Sequence, residues 1–207
     1  MELLFIRHAL PIRREVIEGA ADPPLSDIGH QQAQLLTDYL ASEHIDAIYA
    51  SPLKRAVETA QPLSGYHDQP SVLDAGLAEF DQHSSEYIPV EEMKANNDPR
   101  LVEFFQGEGE DFDDRIEFRD RVLGSVSRII SDHGGERVAI VCHGGVINCY
   151  AGDVLGIDVD GPGFFYPNYT SITRIAASRS GVRSIVTINE TSHLRNTGLP
   201  MGLFQHG

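Results

Sequence analysis

The stretch LLFIRHALPIRR, residues 3–14, decides how the chain is read. Leu3, Leu4, Phe5 and Ile6 form an unbroken apolar run of strand length, the pattern of a strand covered on both faces. That core strand then delivers Arg7 and His8 side by side at its end. Two further apolar runs finish in a similar way: IDAIYA leads to Ser51 and Pro52, with Arg55 one turn into the next helix, and VAIVC leads to His143 and Gly144. In a parallel sheet these ends share one edge, and ligands of open α/β sheets bind outside the carboxyl ends of the strands. Arg7, His8, Arg55 and His143 are therefore expected to converge.

Working outward, residues 45–50, 137–142, 171–176 and 182–188 also read as strands. Helical stretches lie between them. Ser26 is the expected N-cap of one, with Asp27 complementing the helix dipole and apolar positions at Ile28, Leu35, Leu36, Tyr39 and Leu40. Ser51 followed by Pro52 reads as the start of a second, running to about Leu63. Residues 114–132 and 145–155 make two more, the first ended by Gly134 and Gly135. This alternation predicts an α/β three-layer sandwich, with a mostly parallel central sheet and helices on both faces. The last two strands, separated only by residues 177–181, should form a hairpin whose edge offers a surface for a homodimer.

A chain of 207 residues fits one well-filled core, so a single domain over 1–207 is expected. Its cap insertion, about 80–113, is rich in Pro, Gly, Asn and acid and should be partly helical. From Glu79 to Asp114 there are twelve acidic residues against Lys94 and Arg100, which concentrates much of the net charge of −15 there. That charge argues against nucleic acid as a partner. No run reaches the roughly 20 apolar residues of a membrane span, and no secretory signal opens the chain. Cys142 and Cys149 read as reduced core thiols, and a cytoplasmic location is expected.

The four converging residues narrow the chemistry. Two guanidiniums present forked donors suited to phosphate oxygens, while helix starts after the strands add backbone N–H groups. Fixed positive charge opposes a metal at the same spot. Positive neighbours keep His8 neutral, so its imidazole is a competent nucleophile toward phosphorus. Arg7, Arg55 and His143 would stabilise the transferring group, and Glu79, the first carboxylate after LDAGLA, is the candidate proton donor.

FIRHA, ASPLKRAVETA, LAEF and VCHGGVI, in that order, resemble the signatures of the histidine phosphatase superfamily, specifically its phosphoglycerate mutase-like branch. PLSDIGHQQA is similar to the family's first helix, and YPNYTSITRI and NETSHL to closing segments of its small phosphatases. The resemblance implies His8 as the phosphorylated nucleophile and Arg7, Arg55 and His143 as phosphate ligands. It further implies Gly144 as a backbone donor, Glu79 as proton donor, and no metal or organic cofactor. The expected function is a phosphomonoesterase acting on a small phosphorylated metabolite. A phosphoglycerate mutase and a non-catalytic phosphate-binding protein are the alternatives. Departures from the family pattern are specific. Ala9 and Leu10 stand where glycine and often glutamate follow the Arg-His pair, so the backbone at Ala9 is expected to avoid positive φ. FDQHSSEY replaces a tryptophan-containing segment after the acid, which keeps Asp81 as a fallback donor. Near IRR, Arg13 or Arg14 stands in for an asparagine and is assigned to a second anionic group of the substrate.

Overall fold

The computed structural model describes residues 1–102, 112–157, 164–204 and 207. Strands β1 (Glu2–Arg7), β3 (Ala47–Ala50), β4 (Val72–Leu73) and β6 (Arg137–Cys142) are parallel, and β7 (Ile172–Ala177) and β8 (Arg183–Glu190) add an antiparallel hairpin. The order across the sheet is β4-β3-β6-β1-β7-β8, so β1 and β6 lie at its centre. A separate ribbon pairs β2 (Arg14–Glu15) with β5 (Glu86–Tyr87), tying the loop after β1 to the cap.

The uninterrupted apolar runs follow from the layers. Leu3, Phe5, Val138, Ile140 and Cys142 face helices α4 (Phe112–Asp132) and α5 (Gly144–Leu155), where Val122, Val126, Ile129, Val146 and Tyr150 meet them. Leu4, Ile6, Ala139 and Val141 face α1 (Asp27–Leu40) and α2 (Lys54–His67) through Leu36, Leu40, Ala56, Ala60 and Leu63. This is the expected three-layer arrangement. Full burial of Leu3 through Ile6 stabilises β1 by roughly 6–12 kcal/mol at most, enough to make its end a rigid mount.

Ser26 caps α1 as expected, accepting the Gly29 N–H at 3.0 Å. Ser51 does not cap α2. That helix starts at Lys54 with Leu53 in the cap position and no side-chain cap bond, because the buried Ser51 hydroxyl reaches across the sheet instead. The two-residue strands β2, β4 and β5 carry too little pattern to be read from sequence. In the cap, a 3-10 turn (Phe80–His83), β5 and the short helix α3 (Val90–Ala95) give the partly helical character; residues 103–111 lie outside the described set. Cys142 and Cys149 are both unpaired. Among the described residues no helix is long and apolar enough to cross a membrane.

Candidate active site

Parallel register sets the rim. Arg7 lies opposite Cys142 and Ala50 opposite Val141, so the residues that follow each strand emerge together. The His8 N–H donates to the Cys142 carbonyl and the Ser51 N–H to the Val141 carbonyl, both at 2.9 Å, extending the ladder under the site. The candidate residues are thus mounted on the ends of core strands.

His8 is buried, and its Nδ1 lies 2.8 Å from the Ala9 carbonyl oxygen. A carbonyl only accepts, so Nδ1 carries the proton and Nε2 keeps the lone pair. Burial first, then Arg55 and Arg7, hold His8 well below the ordinary imidazole range against the opposing effect of the Ala9 bond. Ala9 avoids positive φ, as expected. Its N–H donates to Thr59 Oγ1 at 2.9 Å, and the same hydroxyl donates to the Arg55 carbonyl at 2.6 Å. One threonine on α2 therefore locks the backbone just after His8 to the helix that carries Arg55.

The His143 ring centroid lies 5.1 Å from that of His8, with the planes tilted by 56°. His143 is fully buried, and burial, Arg55, His8 and Arg7 in that order hold it well below the ordinary range. Its Nε2 is 2.7 Å from Ser51 Oγ, while its Nδ1 is buried with no partner among the described residues.

The two guanidiniums are held differently. Arg7 donates from Nη1 to the Pro167 carbonyl at 2.6 Å and lies over Tyr169 and Tyr166, 4.3 and 5.4 Å from their centroids. Among the described residues no ion pair is formed by Arg7. Arg55, 1% exposed, donates from Nη2 to Asp81 Oδ1 at 2.8 Å and lies 4.7 Å over the Tyr87 ring. The Nε atoms of both arginines are buried and unpartnered among the described residues.

Glu79 is half-buried beside this group. Its Oε2 accepts the Gly145 N–H at 2.8 Å and its Oε1 the Phe80 N–H at 3.0 Å. A Cβ at Gly145 would lie 2.3 Å from Glu79 Oε1, so glycine is what admits the carboxyl to the start of α5. Burial pushes the Glu79 pKa up and Asp81 adds to it, opposed by the Gly145 and Phe80 bonds and by Arg55. Asp81 is the charge partner of Arg55, whereas Glu79 forms no ion pair among the described residues.

Gly144 opens α5 beside His143, so its N–H has no acceptor within the helix. Arg13 is not brought into the buried group. Its side chain is exposed and its fork is occupied by Glu15 and Glu92, whose two carboxylates draw it to the surface. Arg14 sits in β2 opposite Tyr87.

Sequence reasoning missed Ser51, Thr59, Tyr87 and Tyr169. Thr59 had a signal, since it follows Arg55 by four positions and shares its helix face. Ser51 was masked by its good fit to a helix N-cap. Tyr87 and Tyr169 sit in segments without periodicity, and only the folded chain brings them under the two guanidiniums.

The family model described as histidine phosphatase superfamily (branch 1) matches residues 3–191. Phosphoserine phosphatase 1 of Hydrogenobacter thermophilus is 29% identical over 172 residues, covering 77% of this chain and 78% of that protein. Phosphoglycerate mutase-like protein 4 of Arabidopsis thaliana is 35% identical over 159 residues, 70% of this chain and 67% of that one. The solved structure of Bacillus stearothermophilus YhfR superposes with a TM-score of 0.72 at 26% identity, covering 93% of this chain and 98% of that chain.

Proposed function

The chain belongs to the histidine phosphatase superfamily, branch 1, and from that premise we propose that it hydrolyses a small phosphorylated metabolite through a phosphohistidine on His8. Relatives named phosphoserine phosphatase support phosphomonoester hydrolysis. The observation that carries the mechanism is the His8 Nδ1 bond to Ala9, which leaves the lone pair on Nε2 of a ring that lies beside His143. Nε2 attacks phosphorus; as the N–P bond forms, the ester P–O bond breaks and the leaving oxygen takes the proton of Glu79. Water then attacks the phosphohistidine and gives a proton to the Glu79 carboxylate. The N–P bond breaks, inorganic phosphate leaves, and the lone pair returns to His8. Arg7, Arg55, His143 and the Gly144 N–H are the phosphoryl ligands throughout.

The test compares turnover of an aryl phosphate by the native protein and by His8→Ala, together with trapping of an acid-labile phosphohistidine. Loss of both in the variant is expected; equal turnover refutes the mechanism. A mutase reading is favoured by the identity to a phosphoglycerate mutase-like protein. Isomerisation of a phosphoglycerate without phosphate release would establish it. We take the whole chain as one domain with the cap at about 80–113 and place it in the cytoplasm, acting without a metal or organic cofactor. A homodimer across the β8 edge, where Val182 and Val186 are exposed, belongs to the same reading. A light-scattering mass of one chain would count against it.

A further inference from the structure

Ser51 and His143 form a buried pair that the phosphoryl-transfer scheme leaves unexplained. Both are 0% exposed, and Ser51 Oγ lies 2.7 Å from His143 Nε2. That contact has two possible polarities, and the hydroxyl's other bond selects between them. The Leu53 N–H donates to Ser51 Oγ at 3.3 Å, occupying one lone pair. If Nε2–H also donated to Oγ, the hydroxyl proton would be buried with no acceptor among the described residues, at a cost of about 1–3 kcal/mol. If the hydroxyl donates to Nε2, every group of the serine is satisfied. The neutral ring then carries its single proton on Nδ1, the buried atom with no protein partner.

We propose that Ser51 is a positioning residue that fixes His143 as the Nδ1–H tautomer, so that this N–H donates to a phosphoryl oxygen held between Arg7 and Arg55. His8 and His143 then hold the same tautomer for opposite ends. In His8 the Nδ1–H is turned to the Ala9 carbonyl, and Nε2 keeps the lone pair that the proposed attack uses. In His143 it is Nε2 that is tied back, by Ser51, which leaves the unpartnered Nδ1–H for the oxyanion. With the opposite tautomer, two imidazole lone pairs would confront a phosphate dianion. The proposal rests on the phosphatase reading only for the identity of the oxyanion.

Two measurements that need no turnover test it. In 15N-labelled native protein at neutral pH, His143 should show a protonated Nδ1 and an unprotonated Nε2; the reverse pattern overturns the proposal. Affinity for inorganic phosphate, read by calorimetry, should fall about tenfold in Ser51→Ala, as expected for one charge-assisted bond made intermittent. In Ser51→Thr, which keeps the hydroxyl, the Nδ1–H tautomer should persist. Native-like phosphate affinity in a folded Ser51→Ala also overturns it. Should the protein turn over no phosphomonoester, these readouts still stand or fail by themselves. Turnover through His8 with the reverse His143 tautomer would sink the proposal while sparing the function.

Discussion

Replacing Glu79 by glutamine separates proton donation from everything else the site does. The carboxyl accepts two backbone N–H groups, from Gly145 and Phe80. A glutamine oxygen can accept one, and its NH2 must then face the other donor, so folding stability should drop by about 1–3 kcal/mol. A protein of ordinary stability survives that loss. The catalytic cost is larger and selective: general acid catalysis is worth about 10²–10⁴ in rate, roughly 3–5 kcal/mol, wherever the leaving oxygen needs a proton. The assay is kcat/KM on two esters, an alkyl phosphate such as phosphoserine and an aryl phosphate whose nitrophenol departs readily as its anion. Glu79→Gln should lower the first by that factor and the second by less than about tenfold. The pH profile carries a second signature. Glu79 acts protonated and burial raises its pKa, so alkyl ester turnover in the native protein falls as pH rises through that raised value. The variant should lack this limb. Equal losses on both esters, or an alkaline limb intact in Glu79→Gln, would mean that the proton comes from elsewhere.

Asp81→Asn should move that alkaline limb to lower pH, because the charge that discourages Glu79 from ionising is gone. The variant leaves the buried Arg55 guanidinium without its charge partner and should cost up to about 3 kcal/mol of stability; a limb moving upward would contradict the assignment. Gly145→Ala pushes a methyl into the Glu79 carboxyl and should reproduce the ester selectivity of Glu79→Gln, with a loss of about 10² on the alkyl ester; unchanged turnover would place the acid elsewhere. Far from the site, Arg174 bonds Glu43 at 2.6 Å and Glu190 at 3.1 Å, and holds the Glu43 carboxyl below its usual range. A depressed carboxylate stabilises the fold above its unfolded pKa and loses that contribution as pH falls through its folded value. Arg174→Met should therefore destabilise by about 2 kcal/mol at neutral pH, and denaturant midpoints should converge with the native protein in acid.

The layers were legible because burial on both faces leaves no alternation to read except continuous apolarity, and LLFI and VAIVC show it. The rim was legible because Arg7, His8 and His143 violate that pattern at its end. Arg55 needed the parallel sheet first, since alone it is one more helix cation. Ser51 misled for a physical reason: a serine before a proline satisfies the local rule for helix starts, and only its neighbour across the sheet outbids the helix for the hydroxyl. Arg13 misled in the opposite way. Its charge suited an anionic substrate, but acids on β2 and on α3 compete for the same fork. The choice between Glu79 and Asp81 is likewise invisible in sequence, because it turns on which carboxylate Arg55 captures.

Charge in the site suggests why a protein of net charge −15 suits an anionic ester. Arg55 is matched by Asp81, both histidines are held neutral by burial and neighbouring cations, and Arg7 rests on two aromatic faces and a carbonyl rather than on a carboxylate. With Glu79 protonated the group carries one net positive charge, in surroundings where an unmatched cation is costly. In the proposed reaction a phosphomonoester dianion would supply that counter-charge and leave the site at minus one. The added negative charge discourages ionisation of Glu79 beside it, so the substrate helps to keep its own acid protonated until the P–O bond breaks. When the leaving group departs as a neutral alcohol, the proton goes with it. In the proposed scheme the Glu79 carboxylate that remains is then the base for the hydrolytic water.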